Sequence, residues 1–395
     1  KPFWLNHRWF QACRQAMATP CVRSPFLWLL VTVFLGCYSC AVADVDVEAV
    51  AGSCASDGRG PGCRHLELPR VIVGCWQLVE RHADREKAVE TLLAYAAEGF
   101  TTFDTADIYG PSESILGDFR RRWVASQPDS KPLRFFTKYV TEDTGARSAD
   151  QINSQSLRNL GVEALDMVQL HFWRLASDGS DTAFLSAGKQ LMRLKNEGKI
   201  GHLAGCNMDA VNLKAMVDDG MEIEANQVQY SLLDRRPEHK LLEYCREQGI
   251  KLTIFGVVAG GLLSDSFVGL SKGEAQSRLD SVSRRMYWSS LQRWTQDWGL
   301  FQQLLQTLRR VGQRHTPALT VAAVASAWAL RQLDELGAGG ALIIGVRDAG
   351  HLKEHKLLLE GKASLTLEDM QEIAAILEKG SAPTGDIWHQ ERGWA

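Results

Sequence analysis

Four ionisable side chains each lie at or just beyond the end of a short apolar run, and their types suit proton transfer. Asp104 and Tyr109 are five residues apart after one such run, Lys138 ends the next run, and His171 ends a third. Short apolar runs predict buried strands, and the carboxyl ends of parallel strands meet at one face of a barrel or one edge of a sheet. An acid, a phenol, an ammonium group and an imidazole at such ends indicate a site for acid–base chemistry.

The combination of these four groups suits the reduction of a carbonyl compound. A phenol has an ordinary pKa of about 10, and a nearby cation such as Lys138 would make Tyr109 a better proton donor. Asp104 would keep Lys138 charged, and His171 would polarise a carbonyl oxygen through a hydrogen bond. Each residue alone also has a structural explanation, as a helix cap, an exposed strand end or a core histidine. Their joint occurrence at three strand ends favours catalysis.

The composition is that of a folded protein. The chain has 395 residues, of which 45% are hydrophobic, and this excludes wholesale disorder. The formal net charge of −3 gives no electrostatic basis for nucleic-acid binding, so we expect no nucleic-acid partner. There are nine cysteines, but no group of cysteines and histidines has the spacing of zinc ligands. We therefore expect no bound metal.

The amino-terminal part differs in character from the rest. An uncharged apolar stretch lies between the basic residue Arg23 and a small-residue run that ends at Ala43, and acidic residues follow. This order is typical of a secretory signal peptide within residues 1–43, with Met17 as a possible true start. We therefore expect localisation in the lumen of the secretory pathway or in an organelle reached through it.

Two alternatives stay open for the same stretch. The length of residues 26–43 is close to the minimum of about 17 to 20 residues for a membrane span. They could therefore form an uncleaved anchor, and membrane contact is expected through these residues alone. They could also form a buried helix. The following residues 44–65 are rich in glycine and lack periodicity, which predicts a flexible linker.

From Val71 onward, short apolar runs alternate with segments of helical length. The apolar runs are residues 71–74, 100–103, 133–137, 165–170, 200–204, 223–228, 250–255 and 341–344. The helical segments include residues 84–98, 149–160, 183–197, 238–248, 299–314 and 320–332. This alternation predicts a (β/α)8 TIM barrel with parallel strands over residues 66–382. A long loop region around 261–297 is expected between strands seven and eight, and a C-terminal tail over 383–395.

Several stretches of the predicted barrel resemble the aldo-keto reductase family. They are Gly74-Cys-Trp76, Gly99-Phe-Thr-Thr-Phe-Asp104-Thr-Ala-Asp-Ile-Tyr109-Gly110, Thr137-Lys138, Asp166-Met-Val-Gln-Leu-His171, Gly198-Lys-Ile-Gly-His-Leu-Ala-Gly-Cys-Asn207, Asn226-Gln-Val-Gln-Tyr230 and Ile343-Ile-Gly-Val-Arg347. The resemblance implies a (β/α)8 barrel and nicotinamide-dependent reduction of aldehydes or ketones. It also implies that the catalytic residues are Asp104, Tyr109, Lys138 and His171.

The same resemblance implies an NADP site. Asn207 and Gln227 would hold the nicotinamide carboxamide, Phe255 would lie beneath the ring, and Arg347 would bind the 2′-phosphate. The full set of cofactor-binding residues that it implies is Gly74, Trp76, Asn207, Gln227, Phe255, Arg347, His351, Glu354 and His355. The substrate pocket is expected to include Trp76 and also Trp173, which directly follows the strand of the catalytic histidine.

We therefore expect an NADP-dependent oxidoreductase that reduces an aldehyde or ketone to an alcohol, with Tyr109 as the proton donor. Its partner would be a small carbonyl substrate. The alternative is a regulatory or scaffold subunit that binds the cofactor, senses redox state and turns over little.

Overall fold

The computed structural model describes residues 66–81, 84–142, 148–176, 178, 180, 183–382, 384–389 and 391. The signal peptide or anchor expected in residues 1–43 and the linker expected in 44–65 lie outside the described residues, so both stay predictions. Within the described ranges, no helix has both the length and the apolar character that crossing a membrane requires.

Eight parallel strands of the described chain close into a barrel in sequence order, with β8 paired to β1. Their bounds are β1 (Val71–Gly74), β2 (Thr102–Asp104), β3 (Arg134–Thr141), β4 (Leu165–Phe172), β5 (Ile200–Cys206), β6 (Ile223–Gln229), β7 (Lys251–Phe255) and β8 (Gly340–Gly345). Each predicted strand coincides with one of these within a few residues. The predicted (β/α)8 barrel is confirmed.

The helices lie between the strands and beyond the last one. Their bounds are α1 (Trp76–Arg81), α2 (Arg85–Ala97), α3 (Ser112–Ser126), α4 (Ala149–Leu160), α5 (Ala183–Asn196), α6 (Ala210–Asp218), α7 (Leu241–Gln248), α8 (Lys272–Ser277), α9 (Val282–Trp294), α10 (Trp298–Gln313), α11 (Val321–Glu335), α12 (Leu352–Leu359) and α13 (Leu367–Leu377). Side-chain caps begin several of them, such as Asp84 before α2 and Ser148 before α4. Gly161 and Gly249 end α4 and α7 in the left-handed conformation.

The connection between β7 and β8 differs from the prediction. Residues 261–297 were expected to form a loop, but they contain α8 and α9, each preceded by a capping serine. Serines and charges interrupt the apolar periodicity of this stretch, which hides the helices in the sequence. The indole nitrogen of Trp294 donates a hydrogen bond to the carbonyl of Leu377 at the end of α13, and that of Trp298 donates to the carbonyl of Leu270 within the same connection. These two rings therefore hold the connection to α13 and to itself.

An apolar layer fills the interior of the barrel. It consists of Leu66, Ile72, Phe136, Met167, Ala204, Ala225, Ala341 and Ile343, all buried. In a barrel of this size side chains from the strands fill the lumen, so it is a packed core and not a pore. Polar side chains near the carboxyl ends of the strands, including Asp104, Gln169 and Gln227, are also buried. The carboxyl face is therefore where the interior becomes polar.

Close packing of α3 against α4 gives a first test of the fold. A methyl group on Gly117 of α3 would clash with the carbonyl oxygen of Asn159 in α4. We expect Gly117→Ala to lower the free energy of unfolding by about 1–3 kcal/mol, as overpacking usually does. The matched control is Gly273→Ala, because Gly273 is an exposed helical glycine with open space around it. The control should gain up to about 1 kcal/mol from helix propensity. Urea unfolding midpoints measure both changes, and equal midpoints for the two variants would contradict the packing described.

Candidate active site

An ion pair between β2 and β3 lies at the centre of the site. Lys138 Nζ lies 2.6 Å from Asp104 Oδ1 and donates a second hydrogen bond of 2.9 Å to the carbonyl oxygen of Thr105. Both charged side chains are buried. Burial alone lowers the pKa of Lys138, but the neighbouring Asp104 and Tyr109 favour the charged ammonium, and the net pKa lies above the ordinary value. The site therefore contains a permanent, enclosed positive charge.

Tyr109 lies next to this charge. Lys138 Nζ is 5.2 Å from the centre of the Tyr109 ring. Burial raises the pKa of the Tyr109 phenol to about 12, although Lys138 acts in the opposite direction. The phenol therefore carries its proton at neutral pH. If that proton is donated, the phenolate that remains lies close to a cation that stabilises it.

The second oxygen of Asp104 is bound by two glutamines. Gln169 of β4 and Gln227 of β6 each donate a hydrogen bond of 2.8 Å to Asp104 Oδ2. Gln227 Nε2 also donates to Gln169 Oε1 at 2.8 Å. The sequence analysis missed Gln169, although a polar residue two positions before His171 in an apolar strand was a usable signal. Both oxygens of Asp104 are thus hydrogen-bonded inside the barrel.

His171 is the penultimate residue of β4, and its ring contacts two tryptophans. Its ring stacks on Trp173, with 5.0 Å between ring centres and an angle of 19° between the planes. The ring of Trp388 meets the same imidazole edge-on at 5.3 Å. Trp388 belongs to the predicted tail and was not recognised as a site residue. The aromatic wall beside His171 is therefore built from two distant parts of the chain.

Polar contacts hold the described part of the tail on the carboxyl face. Asp386 Oδ2 accepts a hydrogen bond of 3.0 Å from the backbone nitrogen of Ala210, at the start of α6. Glu391 Oε2 lies 2.7 Å from Nη1 of the buried Arg236. Trp388 lies between these two contacts in the sequence and has a positive φ of 58°, which is unusual for a bulky residue. The tail is thus tied down on either side of Trp388.

One group of side chains near the tail has metal-ligand chemistry, although no metal was expected from the sequence. Potential ligand atoms of Asp209, Asp386 and His389 lie within 4.8 Å of one another among the described residues. Both carboxylates already accept backbone hydrogen bonds, Asp209 from Asn212 and Asp386 from Ala210. Asp209 therefore caps the start of α6, and Asp386 attaches the tail to the same helix.

The carboxyl ends of β5, β6 and β7 supply groups that fit a planar ring bearing a carboxamide. Asn207 follows β5 with a φ of 55° and donates its backbone N–H to the Gln227 carbonyl at 2.8 Å. Asn226 Nδ2 donates to the carbonyl oxygen of Met208 at 2.8 Å, which supports the turn at Asn207. Phe255 ends β7 and is half-buried. Amide side chains and an aromatic ring at neighbouring strand ends match the polar group and the flat ring of a nicotinamide.

Arg347 and His351 lie at the accessible end of β8. Arg347 Nε contacts Asp348 Oδ2 at 3.0 Å, and the Arg347 side chain is 42% exposed, so this pair contributes little stability and leaves the guanidinium accessible. His351 is exposed. Both residues are therefore accessible to an anionic ligand such as a phosphate.

Glu354 and His355 of α12 have partners within the protein. Glu354 Oε2 accepts a hydrogen bond of 2.6 Å from Thr320 Oγ1. His355 Nδ1 lies 2.8 Å from the hydroxyl oxygen of Tyr95 in α2. Burial, with a contribution from His351, lowers the pKa of His355 to about 4. This imidazole is therefore neutral at physiological pH, and its Nδ1 atom faces α2.

The remaining predicted cofactor residues lie after β1. Gly74 pairs with Asp104 of β2 and with Gly345 of β8, and a side chain there would come within 2.8 Å of Ile343 Cγ2. The structure thus gives Gly74 a packing reason for having no side chain. Trp76 begins α1 and is half-buried.

A family model described as the aldo/keto reductase family matches residues 70–378. The chain belongs to the aldo/keto reductase family. The resemblance inferred from its motifs is therefore confirmed, and the protein is a member of an oxidoreductase family. The matched region includes all eight strands of the barrel and the four residues of the predicted catalytic set.

Individual aldo/keto reductases are similar to this chain at moderate identity. An aryl-alcohol dehydrogenase of Pestalotiopsis microspora is 26% identical over an aligned length of 329 residues, covering 78% of this chain and 76% of that protein. An NADH-specific methylglyoxal reductase of Escherichia coli strain K12 is 26% identical over 223 residues, covering 51% of this chain and 68% of that protein. An aldo/keto reductase from Klebsiella pneumoniae, solved with NADP and acetate, matches with a TM-score of 0.58 and 22% identity, covering 81% of this chain and 94% of that one. This last likeness supports the barrel fold.

The neutral His355 predicts a pH-dependent stability. Its pKa is about 4 in the folded protein and 6.5 ordinarily, so between these values the unfolded chain binds a proton that the folded protein does not. Stability should therefore fall as the pH drops from about 7 to about 4, by on the order of 2–3 kcal/mol from this group. We expect His355→Gln to remove most of that loss in urea unfolding measured across this range. The control His239→Gln, at an exposed histidine, should keep the wild-type slope. Parallel curves for wild type and His355→Gln would contradict the assignment.

Proposed function

We propose that this protein is an NADP-dependent reductase of aldehydes or ketones in which Tyr109 donates the proton. The buried Lys138–Asp104 pair beside the Tyr109 ring carries this proposal. A neutral phenol next to an enclosed ammonium is a proton donor whose product is stabilised in place. Membership of the aldo/keto reductase family supports the same chemistry.

The reaction needs two transfers to the carbonyl group. The hydride for the carbonyl carbon would come from a reduced nicotinamide, which Asn207, Gln227 and Phe255 would hold. Tyr109 gives its hydroxyl proton to the carbonyl oxygen, which yields the alcohol and leaves a phenolate next to Lys138. His171 would donate a hydrogen bond to the same oxygen and orient it. Solvent returns the proton to Tyr109 after the alcohol leaves.

The chain's own groups would hold the cofactor along the carboxyl face. We assign Asn207 and Gln227 to the carboxamide and Phe255 to the face of the ring. Arg347 would bind the 2′-phosphate, because its guanidinium is accessible and binds phosphate well. His351, Glu354 and His355 stay predicted contacts of the adenosine end, although two of them already have internal partners.

The substrate pocket would be aromatic. Trp173 and Trp388 enclose His171, and Trp76 begins the helix after β1. Flat apolar walls favour aromatic or apolar carbonyl compounds over strongly charged ones. The similarity to an aryl-alcohol dehydrogenase supports this class.

Removing the Tyr109 hydroxyl tests the assignment of the proton donor. We expect Tyr109→Phe to bind NADPH as wild type does but to lose about 10²- to 10⁴-fold in kcat with benzaldehyde, the usual effect of removing a positioned acid. Tyr244→Phe, at a half-buried tyrosine of α7, should keep the wild-type rate. NADPH absorbance follows turnover, and protein fluorescence follows binding. A wild-type rate in Tyr109→Phe would refute the role of Tyr109. Tight NADPH binding without turnover in wild type would instead support the regulatory subunit.

Arg347 should decide the cofactor preference. A charge-assisted contact to the 2′-phosphate is worth roughly 1.5–3 kcal/mol, or about ten- to a hundredfold in Kd. We expect Arg347→Ala to weaken NADPH binding by that factor and to leave NADH binding unchanged. The control is Arg70→Ala. Arg70 lies just before β1, at the opposite end of the barrel, and pairs with Asp334. Fluorescence titrations of wild type and both variants with NADPH and with NADH measure the six dissociation constants. Equal affinity of wild type for NADPH and NADH would contradict a phosphate site at Arg347.

A further inference from the structure

Gln169 lies at a junction within the barrel interior. It belongs to β4 and is fully buried. Its Nε2 atom donates to Asp104 Oδ2 at 2.8 Å, and its Oε1 atom accepts from Gln227 Nε2 at the same distance. Gln169 therefore contacts both the acid that pairs with Lys138 and the glutamine assigned above to the nicotinamide carboxamide. Both ends of its amide are used in these contacts.

The chemistry of the partners fixes how both amides are oriented. An ionised carboxylate has no hydrogen to donate, so each glutamine that contacts Asp104 Oδ2 must present its nitrogen. With its nitrogen on Asp104, Gln169 can offer only its oxygen to Gln227. Gln227 in turn makes both of its contacts through its nitrogen. Its carbonyl oxygen is therefore directed away from Asp104.

We propose that Gln169 is a positioning residue that couples the carboxamide site to the proton-donor site. It holds the Gln227 amide in the orientation that leaves a carbonyl oxygen to accept from the carboxamide N–H, and it helps to neutralise the second oxygen of Asp104. Gln169 has this role only if Gln227 binds the carboxamide, so the inference rests on the proposed function. The shared atom is Asp104 Oδ2, on which both glutamines converge.

An apolar residue at this position would remove both effects together. Gln169→Leu is close in size, but it leaves Asp104 Oδ2 with one donor fewer and Gln227 Nε2 with one acceptor fewer. The Gln227 amide can then rotate, because only one contact remains to hold it. We expect NADPH to bind about tenfold more weakly, as the loss of a hydrogen bond that involves a charged group predicts. The kcat at saturating NADPH should fall as well, because Asp104 is then less firmly held.

Gln169→Glu gives a sharper test, because its effect should depend on pH. A protonated glutamic acid can donate its O–H to Asp104 and accept from Gln227, so it reproduces both contacts of the glutamine. An ionised glutamate would instead place a second negative charge against Asp104, which already pairs with Lys138. Burial and the like charge raise the pKa of such a carboxyl above its usual range.

The experiment is a fluorescence titration of the whole protein with NADPH at about pH 5.5 and about pH 9, which lie on either side of a raised carboxyl pKa. The Kd of each variant is divided by the wild-type Kd at the same pH, so that titration of the cofactor phosphate cancels. For Gln169→Glu we expect a ratio near one at the lower pH and about ten or more at the higher pH. For Gln169→Leu the ratio should be raised at both pH values.

Gln229→Glu is the matched control. Gln229 is also buried and also donates to a buried carboxylate, Asp234, at 2.9 Å, but it does not contact Asp104. Gln229→Glu therefore also buries a carboxyl group beside an acid. Its Kd for NADPH, divided by the wild-type Kd, should nevertheless be the same at the two pH values.

Each outcome bears on a different statement. A pH-independent ratio for Gln169→Glu, or the same pH response in Gln229→Glu, would overturn the positioning role. If Gln169→Leu does not fold, as far-UV circular dichroism would show, the two glutamate variants decide the matter alone. A wild-type protein that binds no NADPH at either pH would instead refute the proposed function. Wild-type binding with an unresponsive Gln169→Glu refutes only the coupling through Gln169.

Discussion

The buried pair of Lys138 and Asp104 is the interaction on which the rest of the site depends. Taking two charges out of water costs several kcal/mol per ion, and their attraction offsets this only when their remaining hydrogen-bonding capacity is also satisfied. Here Lys138 gains the Thr105 carbonyl, and Asp104 gains the two glutamine amides. Strands β2, β3, β4 and β6 each contribute one side chain to this cluster. The hydrogen bonds that stabilise the two charges therefore also fix the positions of the residues proposed as catalytic.

Much of the fold and part of the site could be predicted from local sequence pattern. Alternating apolar runs and amphipathic segments are properties of neighbouring residues, and a side chain that ends such a run must lie at a strand end. This pattern was enough to predict that Asp104, Lys138 and His171 lie on one face of the barrel. Helix α9 was missed because its serines and arginines break the apolar period, although its buried tyrosine and tryptophan anchor it well.

What the sequence could not reveal depends on partners far away in the chain. A local pattern marks Gln169 as a polar residue in an apolar strand, but it cannot identify the partners of Gln169, which lie 65 and 58 residues away in the sequence. Trp388 reaches His171 from beyond the last strand of the barrel. His355 matches a motif position after β8, but no motif indicates which way its ring faces, and the structure pairs it with Tyr95 of α2. Such long-range contacts are set by packing and not by spacing.

The place of Trp388 in the chain has a consequence for biosynthesis. The ribosome makes residues in order, so this tryptophan leaves the exit tunnel after the strands of the barrel have been completed. A nascent chain can therefore close its barrel and form the Lys138–Asp104 pair while His171 contacts Trp173 but not yet Trp388. Attachment of the tail through Asp386 and Glu391 then completes the pocket as a late step of maturation. Chains released early would carry the charged pair, with only Trp173 of the two tryptophans beside His171.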